Sequence, residues 1–370
     1  WWAGVTASSL AACLMPAAVI GFILLLNMRS YMKDETPTGA ARIGWNAILI
    51  VAVLVLTVAG IQGLRKNIDT LRQQFAPAEA EARAAAPAED GAPVRIERSH
   101  AAMGAAFNFV VYADADDDPV ALQGAIDEAF AAIDNLEGRI STWQPQSNTS
   151  VINRRAHLEP VRADLDVWRL LRKAEALYEA TDGAFDVTVG PLVEAYGIYT
   201  GAGAVPDAEA LADALGRTGF EKLKLDPEAT TVAFDVAGMR LDFGGLGKGL
   251  ALDRAARVLR EGGVTSALLN GGTSTILAIG APPAKTAWTV EVGSSYTGRE
   301  QGVAQVALRD AALSTSEAYR ELPEPGEAAH RHIFDPRTGQ PMDGWLSATA
   351  VAPTGLESDA LSTAFYILDE

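Results

Sequence analysis

Hydrophobic residues follow two different patterns along this chain. Near the start they form two apolar runs without any charged residue, from about Ala7 to Met28 and from Ile43 to Leu64. Each run reaches the ~20 residues that a helix needs to cross a bilayer. We therefore predict a two-helix membrane segment over residues 1–66, with a buried helical hairpin of a soluble protein as the alternative.

The residues around these runs do not give the orientation of the membrane segment. The first run has no charged region before it and is followed by a second run, which argues against a cleaved signal peptide. Basic residues flank the second run on both sides, so an excess of positive charge does not identify the cytoplasmic side. They are Arg29, Lys33 and Arg42 before the run, and Arg65, Lys66 and Arg72 after it.

The composition changes twice after the second run. Residues 67–93 are rich in Ala, Glu and Pro, which is typical of a semi-flexible spacer or a frayed helix. From Val94 the composition is that of a globular domain, which we assign to residues 94–370. Because the chain begins with Trp1-Trp2 and stops at Asp369-Glu370, we expect a fragment that is cut at both ends and a domain truncated at its C-terminus.

Helix and strand patterns are interspersed in residues 94–370. Apolar residues spaced three and four apart predict helices at 121–140, 164–181 and 249–263. Alternation predicts strands, which we expect at 107–115, 230–238, 266–272, 275–280, 288–294 and 302–308. Strands mixed with helices predict an α+β or α/β domain.

Composition also excludes several classes of function. The 370 residues carry a formal net charge of −17, which argues against a nucleic-acid partner or an anionic membrane surface, since both need clustered Lys and Arg. The single cysteine, Cys13, lies in an apolar run, so we expect no disulfide framework, thiolate metal cluster or Cys nucleophile. The four histidines are too scattered for a His-built zinc site. A polyanionic ligand would therefore need a metal ion, backbone N–H groups or one placed Lys.

Two glycine-rich segments contain residues suited to such a ligand. In residues 239–259, a strand-like MRLDF leads through a glycine turn to Lys248 and an amphipathic helix. Free N–H groups at a helix start and one ammonium are typical of a phosphate cradle, although a tight strand-to-helix turn has the same pattern. In TDGAFDVTVGPL, residues 181–192, small residues permit a ligand to approach the backbone, and a helix C-cap with a buried loop is the alternative. The glycine turn in residues 270–280 is interpreted as structural.

Two segments near the C-terminus add polar groups. His332 lies on a predicted short apolar strand before the turn at Asp335-Pro336. Asp359 and Thr363 are four residues apart on a predicted helix, so both project from one face. A carboxylate, a hydroxyl and a backbone carbonyl suit a hard cation such as Mg²⁺. The alternatives are a structural role for His332 and, for Asp359 and Thr363, a solvated helix face.

Taken in order, these segments resemble the FAD:protein FMN transferase family, also called the ApbE or thiamine-biosynthesis lipoprotein family. The resemblance covers residues 94–370 and rests on collinear motifs: SHAAMGAAFNF, STWQPQSNTSVIN, TDGAFDVTVGPL, LDFGGLGKGLALD, STSEAYR, HIFDPRTGQP and SDALSTAF. The chain departs from it at Ala105, Thr273, Glu317 and Ser362, where members have Thr, Asp, Gly and, in some cases, Asp.

The resemblance implies an ApbE-like α+β domain after the membrane helices, and a role for individual residues. The Gly245 carbonyl, Asp359 and Thr363 would hold Mg²⁺, and His332 would act in proton transfer. FAD would contact Met103, Trp143, Ala184, Phe185, Asp186, Asp242, Lys248 and Ile333.

The implied reaction transfers FMN from FAD to a Ser or Thr of a partner protein and releases AMP. Mg²⁺ and Lys248 would neutralise the pyrophosphate of FAD. The expected acceptor is a subunit of a membrane redox complex with an Asp-x-x-Ser/Thr-Gly-Ala-Ser/Thr sequence, which this chain lacks. We expect the chain in the cytoplasmic (inner) membrane with its catalytic domain on the periplasmic side, where members of the family usually act.

Alternatives remain open for both parts of the chain. An FAD pyrophosphatase would use the same site with water as the acceptor and release FMN and AMP. A non-catalytic flavin-binding protein would not need Lys248, His332, Asp359 and Thr363 together. Residues 1–65 resemble, more weakly, the C-terminal helices of NRAMP-type metal transporters. A transporter tail fused to a flavin transferase, a transport segment that the domain regulates and a simple anchor all agree with this pattern.

Overall fold

The computed structural model describes the following residues: 93–114, 117–200, 203, 205–293, 303–317, 332–342 and 347–368. The two predicted membrane helices and residues 67–92 of the predicted linker lie outside this part of the chain. No helix in the described part is long and apolar enough to cross a membrane. Apart from Tyr199 and Thr200, the described residues belong to one compact unit.

The described elements mix strands and helices, which confirms the predicted α+β class. The strands are β1 (Val94–Ala102), β2 (Ala105–Ala113), β3 (Val161–Arg162), β4 (Leu223–Asp226), β5 (Thr231–Phe234), β6 (Ala267–Gly271), β7 (Thr275–Ile279), β8 (Trp288–Val292), β9 (Ala304–Leu308), β10 (Ala312–Glu317) and β11 (Ser347–Ala352). The helices are α1 (Pro119–Ile140), α2 (Asn148–Arg155), α3 (Leu165–Ala180), α4 (Gly190–Ala195), α5 (Ala208–Gly216), α6 (Gly247–Glu261) and α7 (Gly355–Leu368).

A six-stranded antiparallel sheet, in the order β1-β2-β6-β7-β10-β11, forms the centre of the fold. Alternate residues of β2 point to opposite faces of the sheet. Phe107, Phe109 and Val111 pack with apolar residues of α1, α6 and α7 in the main core. Tyr112 belongs to a second cluster on the other face, where Trp288 of the β8–β9 hairpin packs. The sheet is therefore covered by helices on one face and by a hairpin on the other.

Side-chain caps fix where the predicted helices begin. Asp118 accepts a hydrogen bond from the Val120 N–H at 2.9 Å and begins α1, and Asp164 accepts one from the Val167 N–H at 2.9 Å and begins α3. Such caps satisfy N–H groups that have no partner within the helix. The third predicted helix, α6, ends at Gly262-Gly263 as expected, with Gly263 at φ +87°.

The strand predicted at MRLDF is wrong. Residues 239–243 form one isolated bridge, between Arg240 and Val189, and no strand. The backbone of Leu241 finds its partners in a side chain instead: the Asn153 amide accepts from the Leu241 N–H at 2.8 Å and donates to its carbonyl at 3.0 Å. Because a side chain takes these groups, no neighbouring strand pairs with them.

Of the short strand predicted around His332, only the part from His332 onward lies among the described residues. In this segment Phe334 forms a single bridge with Pro341. The chain turns directly afterwards, and the Gly339 N–H donates to the Asp335 carbonyl at 2.7 Å. The turn at Asp335 that the sequence predicted is present.

Two glycines permit α6 and α7 to touch through their backbones. A Cβ at Gly249 would lie 2.0 Å from the Gly355 carbonyl oxygen, and a Cβ at Gly355 would lie 2.4 Å from the Gly249 carbonyl oxygen. Asp253 of α6 reinforces this contact, because its carboxylate accepts the N–H groups of Gly355 at 2.7 Å and Leu356 at 2.9 Å. The first turn of α7 is therefore capped by a side chain of α6.

We expect Gly249→Ala to lower the unfolding free energy by about 1–3 kcal/mol or more, because its methyl group would overlap a backbone oxygen that cannot move alone. Gly124→Ala on the exposed face of α1 is the matched control, since a Cβ there meets nothing within 4 Å. It should stabilise the helix by about 1 kcal/mol. The midpoint of thermal unfolding of the full chain should thus fall for Gly249→Ala and rise for Gly124→Ala. A similar rise for both variants would contradict the backbone contact.

Candidate functional site

One end of the six-stranded sheet brings together two hairpin turns, one of which contains the candidate residue Met103. The β1–β2 turn, the β6–β7 turn, the end of β10 and the start of β11 all meet there. The residue pairs at this end are Ala102 with Ala105, Phe107 with Gly271, Gly271 with Thr275, Thr275 with Ser314, and Glu317 with Ser347.

Met103, a predicted FAD contact, lies in the two-residue β1–β2 turn. Its φ is +51° and that of Gly104 is +69°, so both residues have the left-handed backbone of a tight hairpin turn. For a residue with a side chain this conformation costs about 1 kcal/mol. The Met103 N–H donates to the Glu137 carboxylate of α1 at 2.8 Å, which holds the turn in place.

Lys248 lies at the start of α6, beside the two hairpin turns. A Cβ at Gly272 in the β6–β7 turn would be 3.8 Å from Lys248 Cδ and 3.3 Å from the Ala105 Cβ. Within the described part of the chain, no carboxylate or other acceptor forms a hydrogen bond or an ion pair with the Lys248 ammonium. The amine is therefore available to an anion at this end of the sheet.

The phosphate cradle predicted at the start of α6 needs a correction. The Gly247 N–H donates to the Phe243 carbonyl at 2.8 Å, and the Gly249 N–H donates to the Asp359 carboxylate at 3.0 Å. These two N–H groups are not free for a ligand. The tight turn places the helix start against α7, where the Asp359 carboxylate accepts one of these N–H groups.

Asp359 and Thr363, the predicted Mg²⁺ ligands on α7, do not lie on a solvated face. Asp359 is 4 % exposed. One of its carboxylate oxygens accepts from the Gly249 N–H, and the other accepts from the Thr275 hydroxyl at 3.3 Å. A Cβ at Gly245 would lie 3.6 Å from Thr363 Oγ1, so the third predicted ligand lies next to the second.

Ala184 and Ile333, two of the predicted FAD contacts, also adjoin α7. Ala184 and Ile333 form a small buried cluster with Tyr366 and Ile367 of this helix. The Phe185 ring lies 3.3 Å from the position of a Cβ on Gly245. His332 is exposed and directly precedes Ile333.

Trp143 and Asp242 lie on two connections near the start of α6. Trp143 follows α1 and is 60 % exposed. Its backbone N–H donates to Ser141 Oγ at 3.2 Å. The side chain of Ile140, three residues earlier, lies near the start of α6, where a Cβ on Gly247 would be 3.6 Å from it. The Asp242 carboxylate accepts from the Gly244 N–H at 2.7 Å and so shapes the glycine turn.

Asp186 has a structural environment. It is 6 % exposed, and its two carboxylate oxygens accept the Thr188 N–H at 2.7 Å and the Phe220 N–H at 3.1 Å. Burial raises the pKa of the Asp186 carboxyl to about 6, against the lowering effect of the two N–H donors. A cleft of about 390 Å³ beside it is lined by Tyr178, Lys222 and Arg337, and no other predicted site residue lines this cleft.

The sequence did not single out four residues that hold the site: Glu137, Asp253, Thr275 and Ser316. Thr275 is fully buried on a strand that is otherwise apolar, and Ser316 bonds Thr363 Oγ1 at 3.1 Å. A polar residue within an apolar strand is a weak signal, because most such hydroxyls bond backbone groups.

We expect Asp186→Asn to change how stability depends on pH. The wild-type carboxyl binds its proton more tightly when folded, so the protein loses about 3 kcal/mol of unfolding free energy as the pH rises from about 4 to 7. The variant lacks this ionisation, and its stability should not show that fall. Thermal unfolding of both full-length proteins across this range measures the difference. A difference in stability between the two proteins that stays constant with pH would contradict a raised pKa of Asp186.

Comparison with known proteins agrees with this arrangement. The sequence model of the ApbE family matches residues 103–370. An FAD:protein FMN transferase of Treponema pallidum is 30 % identical over 261 residues, which are 67 % of this chain and 72 % of that protein. One of Haemophilus influenzae is 28 % identical over 282 residues, or 74 % and 81 %.

Solved structures show the same fold. The crystal structure of the ApbE protein of Thermotoga maritima has a TM-score of 0.67 and 29 % identity, and covers 74 % of this chain and 87 % of its own. The flavin transferase ApbE of Vibrio cholerae has a TM-score of 0.63 and 26 % identity, with 75 % and 88 % covered. Since the family match takes in most of the chain and every predicted site residue, this chain belongs to the ApbE family.

Proposed function

We propose that this chain is a Mg²⁺-dependent FAD:protein FMN transferase that attaches FMN to a Ser or Thr of an acceptor protein and releases AMP. The transfer of FMN from FAD to a protein rests on membership of the ApbE family and on relatives with this name. The observation that supports the metal is the meeting of Gly245, Asp359 and Thr363 beside Lys248, at one end of the sheet.

The residues present suit Mg²⁺ by their chemistry. Asp359 supplies a carboxylate, Thr363 a hydroxyl and Gly245 a backbone carbonyl, which are the hard oxygen ligands that this ion prefers. A Cβ at Gly245 would approach Thr363 Oγ1 and the Phe185 ring, so the absence of a side chain keeps the space between them open. When bound, Mg²⁺ would neutralise charge on the phosphate oxygens of FAD.

Lys248 is suited to the pyrophosphate of FAD. The chain carries a formal net charge of −17, so an anionic substrate is repelled by most of the surface. Lys248 extends from the start of α6 along the β6–β7 turn, on the same side of the fold as Asp359. Its ammonium can form charge-assisted hydrogen bonds with phosphate oxygens.

The reaction replaces the phosphoanhydride bond of FAD with a phosphoester bond to the acceptor. The acceptor hydroxyl oxygen bonds to the phosphorus of the FMN half of FAD, the bond from this phosphorus to the bridging oxygen breaks, and AMP leaves with the electron pair. The acceptor hydroxyl loses its proton, for which the exposed His332 is the candidate base because an imidazole ionises near neutral pH. Catalysis then depends on position and charge neutralisation.

We expect FMN transfer by the full chain to depend on Asp359. Incubation with FAD, Mg²⁺ and a protein bearing Asp-x-x-Ser/Thr-Gly-Ala-Ser/Thr should increase the acceptor's intact mass by one FMN. Asp359→Ala should slow this transfer at least about 100-fold, since metal clamps contribute several kcal/mol in such reactions. Asp213→Ala is the control, because Asp213 is an exposed aspartate of α5 that pairs with Arg217.

Other outcomes of this experiment identify the alternatives. Free FMN and AMP with an unmodified acceptor would indicate an FAD pyrophosphatase, and FAD that is bound but unchanged would indicate a flavin-binding protein. Equal rates for Asp359→Ala and Asp213→Ala would reject the metal site.

We also propose that residues 1–66 anchor the domain in the cytoplasmic membrane, with the catalytic domain on the periplasmic side and a redox-complex subunit as acceptor. The support is the length of the two apolar runs, about 20 residues or more each. The full chain should then stay in the membrane pellet after alkaline carbonate extraction. Protease added to intact spheroplasts should cleave the domain. Extraction into the supernatant would reject the anchor, and protection from protease would reverse the orientation.

A further inference from the structure

A network of hydroxyl groups joins β10 to α7 next to the candidate metal ligands. Ser316 Oγ lies 2.8 Å from Ser362 Oγ and 3.1 Å from Thr363 Oγ1. Ser362 donates to the Asp359 carbonyl at 2.9 Å, and the same carbonyl lies 3.3 Å from Thr363 Oγ1. Four polar groups therefore meet where α7 approaches the end of β10.

Counting protons gives these bonds a direction, since each hydroxyl has one proton to donate. The Ser362 proton goes to the Asp359 carbonyl, so Ser316 is the donor in its bond with Ser362. Thr363 Oγ1 has two acceptors within reach, Ser316 Oγ at 3.1 Å and the Asp359 carbonyl at 3.3 Å, and the shorter contact assigns its proton to Ser316. The protons run from Thr363 through Ser316 and Ser362 to the backbone.

We propose that Ser316 is a positioning residue for the metal site. A hydroxyl can bind a cation only through its lone pairs, so its proton must point to an acceptor on the other side. Ser316 is that acceptor, and it leaves the lone pairs of Thr363 Oγ1 directed away from β10. The inference rests on the proposed metal site of Gly245, Asp359 and Thr363.

This network also explains the serine at position 362. Ser362 stands where some family members have Asp, and its side chain is fully buried. Its hydroxyl bonds Ser316 and the Asp359 carbonyl, which makes it the end of the proton chain. In this protein Ser316 and Ser362 thus orient the ligands Thr363 and Asp359.

The same strand and helix contain an equivalent bond one turn away. Ser314 Oγ lies 2.8 Å from Ser358 Oγ, and Ser358 donates to the Gly355 carbonyl at 3.0 Å. Ser314 is fully buried, and among the described residues its hydroxyl bonds none of the three candidate ligands. Ser314→Ala therefore removes a similar hydroxyl bond between β10 and α7 without removing a bond to a ligand.

The test measures cation affinity directly, with Mn²⁺ as the probe in the full chain without FAD. Titration followed by electron paramagnetic resonance counts free Mn²⁺, and the site is defined by its loss in Asp359→Ala. Ser316→Ala should raise the Kd of this site about 10-fold or more, as expected for groups that orient metal ligands. Ser314→Ala should change it less than about 2-fold, within the effect of a distant hydroxyl.

A second pair of variants tests Ser316 if the alanine variant does not fold. The side chains introduced by Ser316→Thr and Ser316→Val have nearly the same shape, but only threonine keeps the hydroxyl. Only Ser316→Val should therefore weaken Mn²⁺ binding. Equal Kd values for this pair, or for Ser316→Ala and Ser314→Ala, would overturn the inference while leaving the metal site intact. Absence of an Asp359-dependent site in the wild type would instead reject the metal part of the proposed function and the inference with it.

Discussion

The contact between the backbones of α6 and α7 is the constraint on which the site depends. Gly249 and Gly355 lack the atoms that would separate the two helices, and a Cβ on either would lie within 2.4 Å of the other's carbonyl oxygen. At this separation the Gly249 N–H reaches the Asp359 carboxylate, and Asp253 caps the start of α7. Lys248 on α6 and the candidate metal ligands on α7 are consequently held in one place.

Carboxylates that accept backbone N–H groups connect the other parts of the site. Glu137 of α1 holds the strained Met103 turn, Asp242 shapes the glycine turn before α6, and Asp186 joins two segments at Thr188 and Phe220. An acidic chain thus uses several of its carboxylates as structural caps, where they satisfy buried N–H groups. This use leaves Lys248 as a positive charge available to a substrate anion.

The sheet supplies the third part of the arrangement. Its antiparallel register brings the β1–β2 and β6–β7 turns and the end of β10 to the same end of the sheet. Thr275 and Ser316 are polar residues of these strands that face α7, and they bond the candidate ligands Asp359 and Thr363. Apolar packing elsewhere on this face fixes the distance of α7 from the sheet, so these short hydroxyl bonds can form.

The sequence by itself determined a domain of mixed helices and strands, the three long helices and most strands from local periodicity. It determined the family, and with it the α+β class, from motifs such as TDGAFDVTVGPL. It did not determine the partners of the motifs. N–H groups at the start of α6 were expected to bind a phosphate, but that of Gly249 donates to Asp359, 110 residues later in the chain. Likewise, MRLDF has the pattern of a strand but bonds the Asn153 side chain. Only the tertiary structure decides such pairings, since they depend on which distant groups the packing of helices and sheet brings within hydrogen-bonding distance.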